Sequence, residues 1–133
     1  MDRSTGIHAI SGLLRAALLA IAVAAGAASL QLLAQANPPA ATLTPVFTAT
    51  APTTIAELWL TNRDSAAHSV RLSLAPGGVA DDPSQYLYYS LPLPPNGSLI
   101  QAMNLPLSSG DVLRAWVDAQ QVSISVFGTV NQP

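Results

Sequence analysis

The chain has 133 residues, a net charge of −2, five arginines and no lysine. It therefore lacks the clustered basic side chains with which nucleic-acid binders displace counterions, and direct nucleic-acid contact is not expected. Charged residues make up 9 % of the chain, against about 25 % in ordinary domains. Cysteine is absent, which excludes disulfides, thiolate metal sites and cysteine nucleophiles. The length suits one small domain.

No charge lies between Arg15 and Glu57, and residues 16–36 are mostly Ala, Leu, Ile and Val. Residues 1–36 read as an apolar helical segment, for which three roles stay open. As a secretory signal, Arg3 and Arg15 precede an apolar stretch and Ala34-Gln35-Ala36 has the small-x-small pattern of a cleavage site. Against this, the signal would be 36 residues long where ~15–30 is usual, and Asp2 offsets Arg3. As a membrane contact, residues 16–36 approach the ~20 residues of a span, weakened by Gly26, Ser29, Gln31 and Gln35. As an oligomer interface, Ile7, Leu14, Ile21 and Ala28 recur every seven residues, as do Ile10, Ala17 and Ala24. That is the a/d stripe of a helix that packs against copies of itself.

Residues 37–44 begin Asn37-Pro38-Pro39 and read as an extended, Pro-rich linker. From residue 45 to 133 the pattern is all-β: short β-branched and aromatic runs closed by turn residues, as in a single antiparallel β-sandwich of jelly-roll-like form. Strands are predicted over residues 46–50, 55–61, 69–74, 86–91, 98–103, 112–118 and 122–129. Asn62-Arg63-Asp64-Ser65, Pro76-Gly77-Gly78, Pro94-Pro95-Asn96-Gly97 and Ser108-Ser109-Gly110-Asp111 mark chain reversals. Alternation assigns Val70, Leu72 and Leu74 to one face and Arg71 and Ser73 to the other. Likewise Leu113, Ala115 and Val117 oppose Arg114, Trp116 and Asp118, and Val122, Ile124 and Val126 oppose Ser123, Ser125 and Phe127. The core is thus expected to be aliphatic.

The succession Thr48-Ala49-Thr50-Ala51-Pro52-Thr53-Thr54-Ile55, Leu60-Thr61-Asn62, Val70-Arg71-Leu72-Ser73-Leu74, Leu87-Tyr88-Tyr89-Ser90-Leu91-Pro92-Leu93, Leu107-Ser108-Ser109-Gly110-Asp111-Val112-Leu113-Arg114 and Val126-Phe127-Gly128 resembles small β-sandwich proteins of bacteriophage virions. The resemblance spans about residues 44–130 and rests on order and spacing more than on any one motif. It implies a structural part of a particle, such as a decoration, collar, spike or fibre-like component. Its expected partners are copies of itself, with a trimer preferred, and other virion structural proteins. The apolar N-terminal segment departs from that family pattern. The rival expectation is a secreted or periplasmic adhesion or binding module released from a cleaved signal.

Reactive constellations are sparse, and no enzymatic activity is expected. Asp64, His68 and Ser69 have the residue types of a hydrolase triad, but they fall within one short polar turn, where a triad needs separate elements and an oxyanion hole. Asp81 and Asp82 offer two of the roughly six to eight oxygens that calcium takes and read more simply as a solvated turn. His8 and His68 fall short of the three or four protein ligands of a zinc site. No glycine-rich phosphate loop occurs, so no cofactor is expected. Trp59 and Trp116 alternate with Leu58, Leu60, Ala115 and Val117, which turns both rings outward, near Tyr88 or Phe127. Aromatic rings on an outer sheet face suggest a subunit interface.

Overall fold

A computed structural model describes residues 29–131. Its strands are β1 (Gln31–Ala36), β2 (Thr44–Thr48), β3 (Thr53–Asn62), β4 (His68–Ala75), β5 (Tyr86–Leu93), β6 (Ser98–Leu107), β7 (Val112–Val117) and β8 (Val122–Val130). Two short 3-10 turns, Pro76–Gly78 and Pro83–Gln85, lie between β4 and β5. The strands form two antiparallel sheets, ordered β1-β8-β3-β6 and β2-β7-β4-β5, that pack as a sandwich. Every connection except that from β4 to β5 passes from one sheet to the other.

The core lies between the sheets and is aliphatic. Ile55, Leu58 and Leu60 of β3, Val70 and Leu72 of β4, Leu113, Ala115 and Val117 of β7, and Val122, Ile124 and Val126 of β8 are each no more than 1 % exposed. These positions follow the period of two that puts alternate side chains on one face. A register shift between Ile55 and Glu57 breaks the period in β3 and lets Ile55 and Leu58 both face inward although three residues apart. Gly128 stands opposite that bulge. A β-carbon there would run into the Thr54 carbonyl oxygen and lie 3.0 Å from the Ile55 α-carbon, so the backbones meet where only glycine fits.

Proline marks the sheet edges. Pro45 of β2, Pro92 of β5 and Pro106 of β6 all sit on edge strands, and none of the four central strands contains one. A residue without an N–H cannot serve a ladder on both sides.

The helical reading of residues 1–36 is corrected at its C-terminal end. Gln31–Ala36 is a strand, paired with β8 from Gln31↔Gly128 to Ala36↔Ile124. Leu33 and Ala34 both pack toward the core through a bulge, and β8 supplies the partners that its backbone needs. This tertiary pairing overrides the helix propensity of Ala and Leu. The sandwich thus has eight strands where seven were expected, and it begins at Gln31. Nor is the segment at 37–44 a free spacer: Pro38 is buried, the Ala41 N–H donates to the Val117 carbonyl at 2.7 Å, and Arg63 donates to Asn37 Oδ1 at 2.8 Å. It carries the chain across from β1 in one sheet to β2 in the other.

Candidate functional site

The outer face of the β1-β8-β3-β6 sheet carries a line of apolar side chains across all four strands. Leu32 of β1 stands beside its partner Phe127 of β8, and the Phe127 ring meets Trp59 of β3 with centroids 5.5 Å apart. Trp59 is in turn the cross-strand partner of Ile100 on β6. Leu32, Trp59 and Ile100 are 48 %, 46 % and 54 % exposed. Their neighbours on this face are Gln35, Ser123 and Ser125 on one side of the line, with Thr61 and Ser98 at one end. The single charged residue there among the described residues, Glu57, accepts a hydrogen bond from Trp59 Nε1 at 2.9 Å and fixes the indole against the sheet. A continuous exposed apolar line with an uncharged polar rim is the composition of an interface core.

Trp116 is elsewhere. It lies on the outer face of the other sheet, where it flanks Arg71, its partner in the β4–β7 ladder. The structure therefore turns both tryptophans outward but does not bring them together. Tyr88 points inward instead, where its hydroxyl accepts from Gln101 Nε2 at 2.8 Å and ties β5 to β6 across the two sheets. Phe127 is the aromatic neighbour of Trp59. The remaining proposed interface residues, Ile7, Ile10, Leu14, Ala17, Ile21, Ala24 and Ala28, lie outside the described residues. Of the segment expected to contact membrane, residues 31–36 form β1. Among the described residues, no helix is long and apolar enough to cross a membrane.

Sequence reasoning missed Ile100 and Leu32. Leu99 and Ile100 are adjacent in one apolar run, so alternation alone does not choose which faces out, and Leu32 was hidden within the helical reading.

His68 is held between two carboxylates. Its Nε2 lies 2.7 Å from Asp64 Oδ2 and its Nδ1 3.1 Å from Asp118 Oδ2, on opposite edges of the ring. Hydrogen bonds that His68 donates to Asp64 and then to Asp118 raise its pKa above the ordinary value, against the opposing effect of burial. Asp64 is lowered chiefly by the His68 hydrogen bond. For Asp118, burial pulls upward, but the Ser69 backbone N–H at 3.0 Å and His68 together hold the carboxyl low. Ser69 thus enters through its backbone, and both imidazole nitrogens are engaged by carboxylates. The arrangement clasps the β3–β4 turn to the end of β7.

The paired aspartates at the β4–β5 connection are likewise occupied locally. Asp82 Oδ1 accepts from the Ser84 backbone N–H at 2.9 Å and caps the second 3-10 turn, while Asp81 Oδ2 accepts from the Tyr86 hydroxyl at 3.2 Å. The Ser84 N–H and hydroxyl hold the Asp82 carboxyl below the usual range. Among the described residues, no three His, Asp or Glu side chains converge as metal ligands would.

Comparison with known protein families, with curated proteins and with solved structures finds no match to this chain.

Proposed function

We propose that this protein is a non-enzymatic structural component of a bacteriophage virion, a decoration, collar, spike or fibre-like part, that assembles as a homo-oligomer. The observation that carries the assembly is the exposed line Leu32–Phe127–Trp59–Ile100. The occupant that fits it best is another copy of the chain, because the surface is nearly uncharged and Glu57, its one carboxylate among the described residues, is already bonded to Trp59. A trimer is the expected state, with the heptad stripe of residues 7–28 as a second contact between copies.

The virion assignment rests on the family resemblance of residues 44–130, and the strand order supports it. Sheets ordered β1-β8-β3-β6 and β2-β7-β4-β5 follow the jelly-roll arrangement, an architecture that viral capsid domains use, as lectin domains and cupins also do. Fold alone does not assign function, so this support is an analogy.

Cleavage after Ala36, as the exported-module reading has it, would remove β1 and open the β8 edge. Mass spectrometry of purified particles tests the assignment. The expected result is this chain in fixed ratio to the other particle proteins, with peptides that include Gln31–Ala36. A chain beginning at Asn37 and found only free in the periplasm or medium would overturn it.

A further inference from the structure

We infer that the outer face of the β2-β7-β4-β5 sheet holds a binding site for an acidic saccharide, a hydroxylated sugar ring that bears a single carboxylate. The site is separate from the Trp59 line and does not depend on the assembly proposed for it.

Arg71 is the centre. Its Cζ lies 4.1 Å from the centroid of the Trp116 ring on β7 and 4.2 Å from that of Tyr89 on β5, so two aromatic faces hold the guanidinium on the central strand β4. Tyr89 is itself braced edge-on by Tyr86, with centroids 5.2 Å apart. Stacking restrains a side chain that is otherwise costly to order, and it leaves the N–H groups at the guanidinium edge free to donate. The other β-domain arginines are spent on the fold: Arg63 donates to Asn37 Oδ1 and the Gln120 carbonyl, and Arg114 to the Gly78 carbonyl. Among the described residues, no carboxylate lies within ion-pair distance of Arg71, the ion pairs being those of His68.

Arg71 opens on a cleft of about 590 Å³ lined also by Asp81, Pro83, Tyr86 and Tyr89, within the ~300–1,000 Å³ range of small-ligand sites. Each group selects for part of the same ligand. A guanidinium with free donors fits a planar carboxylate in a bidentate manner. Tyrosine faces suit the apolar face of a sugar ring. Among the described residues Asp81 accepts only from the Tyr86 hydroxyl, so it keeps acceptor positions for ligand hydroxyls. Its negative charge also disfavours phosphate groups and acidic peptides that bring several charges. The residue set therefore matches one carboxylate among many hydroxyls, as in a uronic-acid unit.

The test is titration calorimetry of the full chain with methyl galacturonoside, which bears one carboxylate, and with neutral methyl galactoside as reference. The expected result is at least about tenfold tighter binding of the uronate, weakened by salt. Arg71→Met removes that preference, Arg71→Lys does not restore it, and Tyr89→Leu weakens both ligands. Thermal melting checks that the variants fold. Should Arg71→Met fail to fold, Tyr89→Leu and the salt dependence still decide. No binding of the uronate at millimolar concentration, or equal binding of the neutral sugar, overturns the inference. Equal or tighter binding of a glutamate-rich peptide overturns it in favour of a protein-docking site. Assembly of the Arg71 variants is expected to match wild type, which separates failure here from failure of the virion reading.

Discussion

Asn62 is 1 % exposed and polar, the kind of residue whose removal is expensive because its partners are buried with it. Its Nδ2 donates to the Ala66 carbonyl at 2.8 Å and the Pro94 carbonyl at 3.1 Å, and its Oδ1 accepts from the Asp64 N–H at 2.9 Å. One side chain thus joins the β3–β4 turn to the β5–β6 connection. Asn62→Leu is expected to lower stability by about 2–4 kcal/mol in denaturant melts, from orphaned backbone groups. Gly128→Ala is expected to cost about as much, since the close backbone across from it cannot yield without displacing β3. The His68 clasp predicts a pH dependence with a definite sign. The raised His68 pKa contributes stability that is present below about pH 6.5 and lost as pH rises through the raised folded-state value. The lowered Asp64 and Asp118 contribute above about pH 4 and lose that contribution as pH falls through their depressed values. The difference in melting temperature between wild type and His68→Gln is therefore expected to peak in the mildly acidic window and shrink on both sides. A difference that stays flat from acid to alkaline pH would show that the clasp is not electrostatic.

β1 is the strand on which sequence and structure part. A chain beginning at Ser29 is expected to keep the full sandwich, whereas one beginning at Asn37 loses β1 and the cover that Leu33 and Ala34 give the core. A drop of several degrees between the two, read by circular dichroism, is the expected outcome; equal melting would mean that β1 adds nothing. Most other strands were legible, because turns such as Pro94-Pro95-Asn96-Gly97 bound them and Val70-Arg71-Leu72 or Leu113-Arg114-Ala115 alternate cleanly. β1 was not, because its Leu-Leu-Ala run continues the apolar composition upstream, and only pairing with a strand about 90 residues later makes it extended. Proline was a signal left unread: Pro45, Pro92 and Pro106 identify three edge strands from sequence alone. The outward turn of Trp59 and Trp116 was legible from alternation, but their separation onto opposite faces was not. Which strands are neighbours, and hence that Arg71 meets Trp116 while Trp59 meets Ile100, depends on a topology that local pattern does not encode.

At the scale of the whole molecule, the sandwich has two unlike outer faces. One is a line of exposed apolar residues with a nearly uncharged rim, suited to another copy of the chain; the other holds an arginine stacked between aromatic rings above a polar cleft. A particle component that presents one face to its neighbours and the other to solvent would use both. Copies are expected to join through the Trp59 line, and sedimentation velocity of the full chain over a concentration series, with Trp59→Thr/Ile100→Thr in parallel, decides whether they do. Both side chains point away from the core, so the double variant is expected to keep the wild-type fold by circular dichroism. The wild type is expected to sediment as a discrete oligomer, and the variant to associate at least about 30-fold more weakly, the effect of losing a ~2 kcal/mol anchor. A wild-type monomer at all concentrations, or a variant that assembles as tightly as wild type, would contradict it.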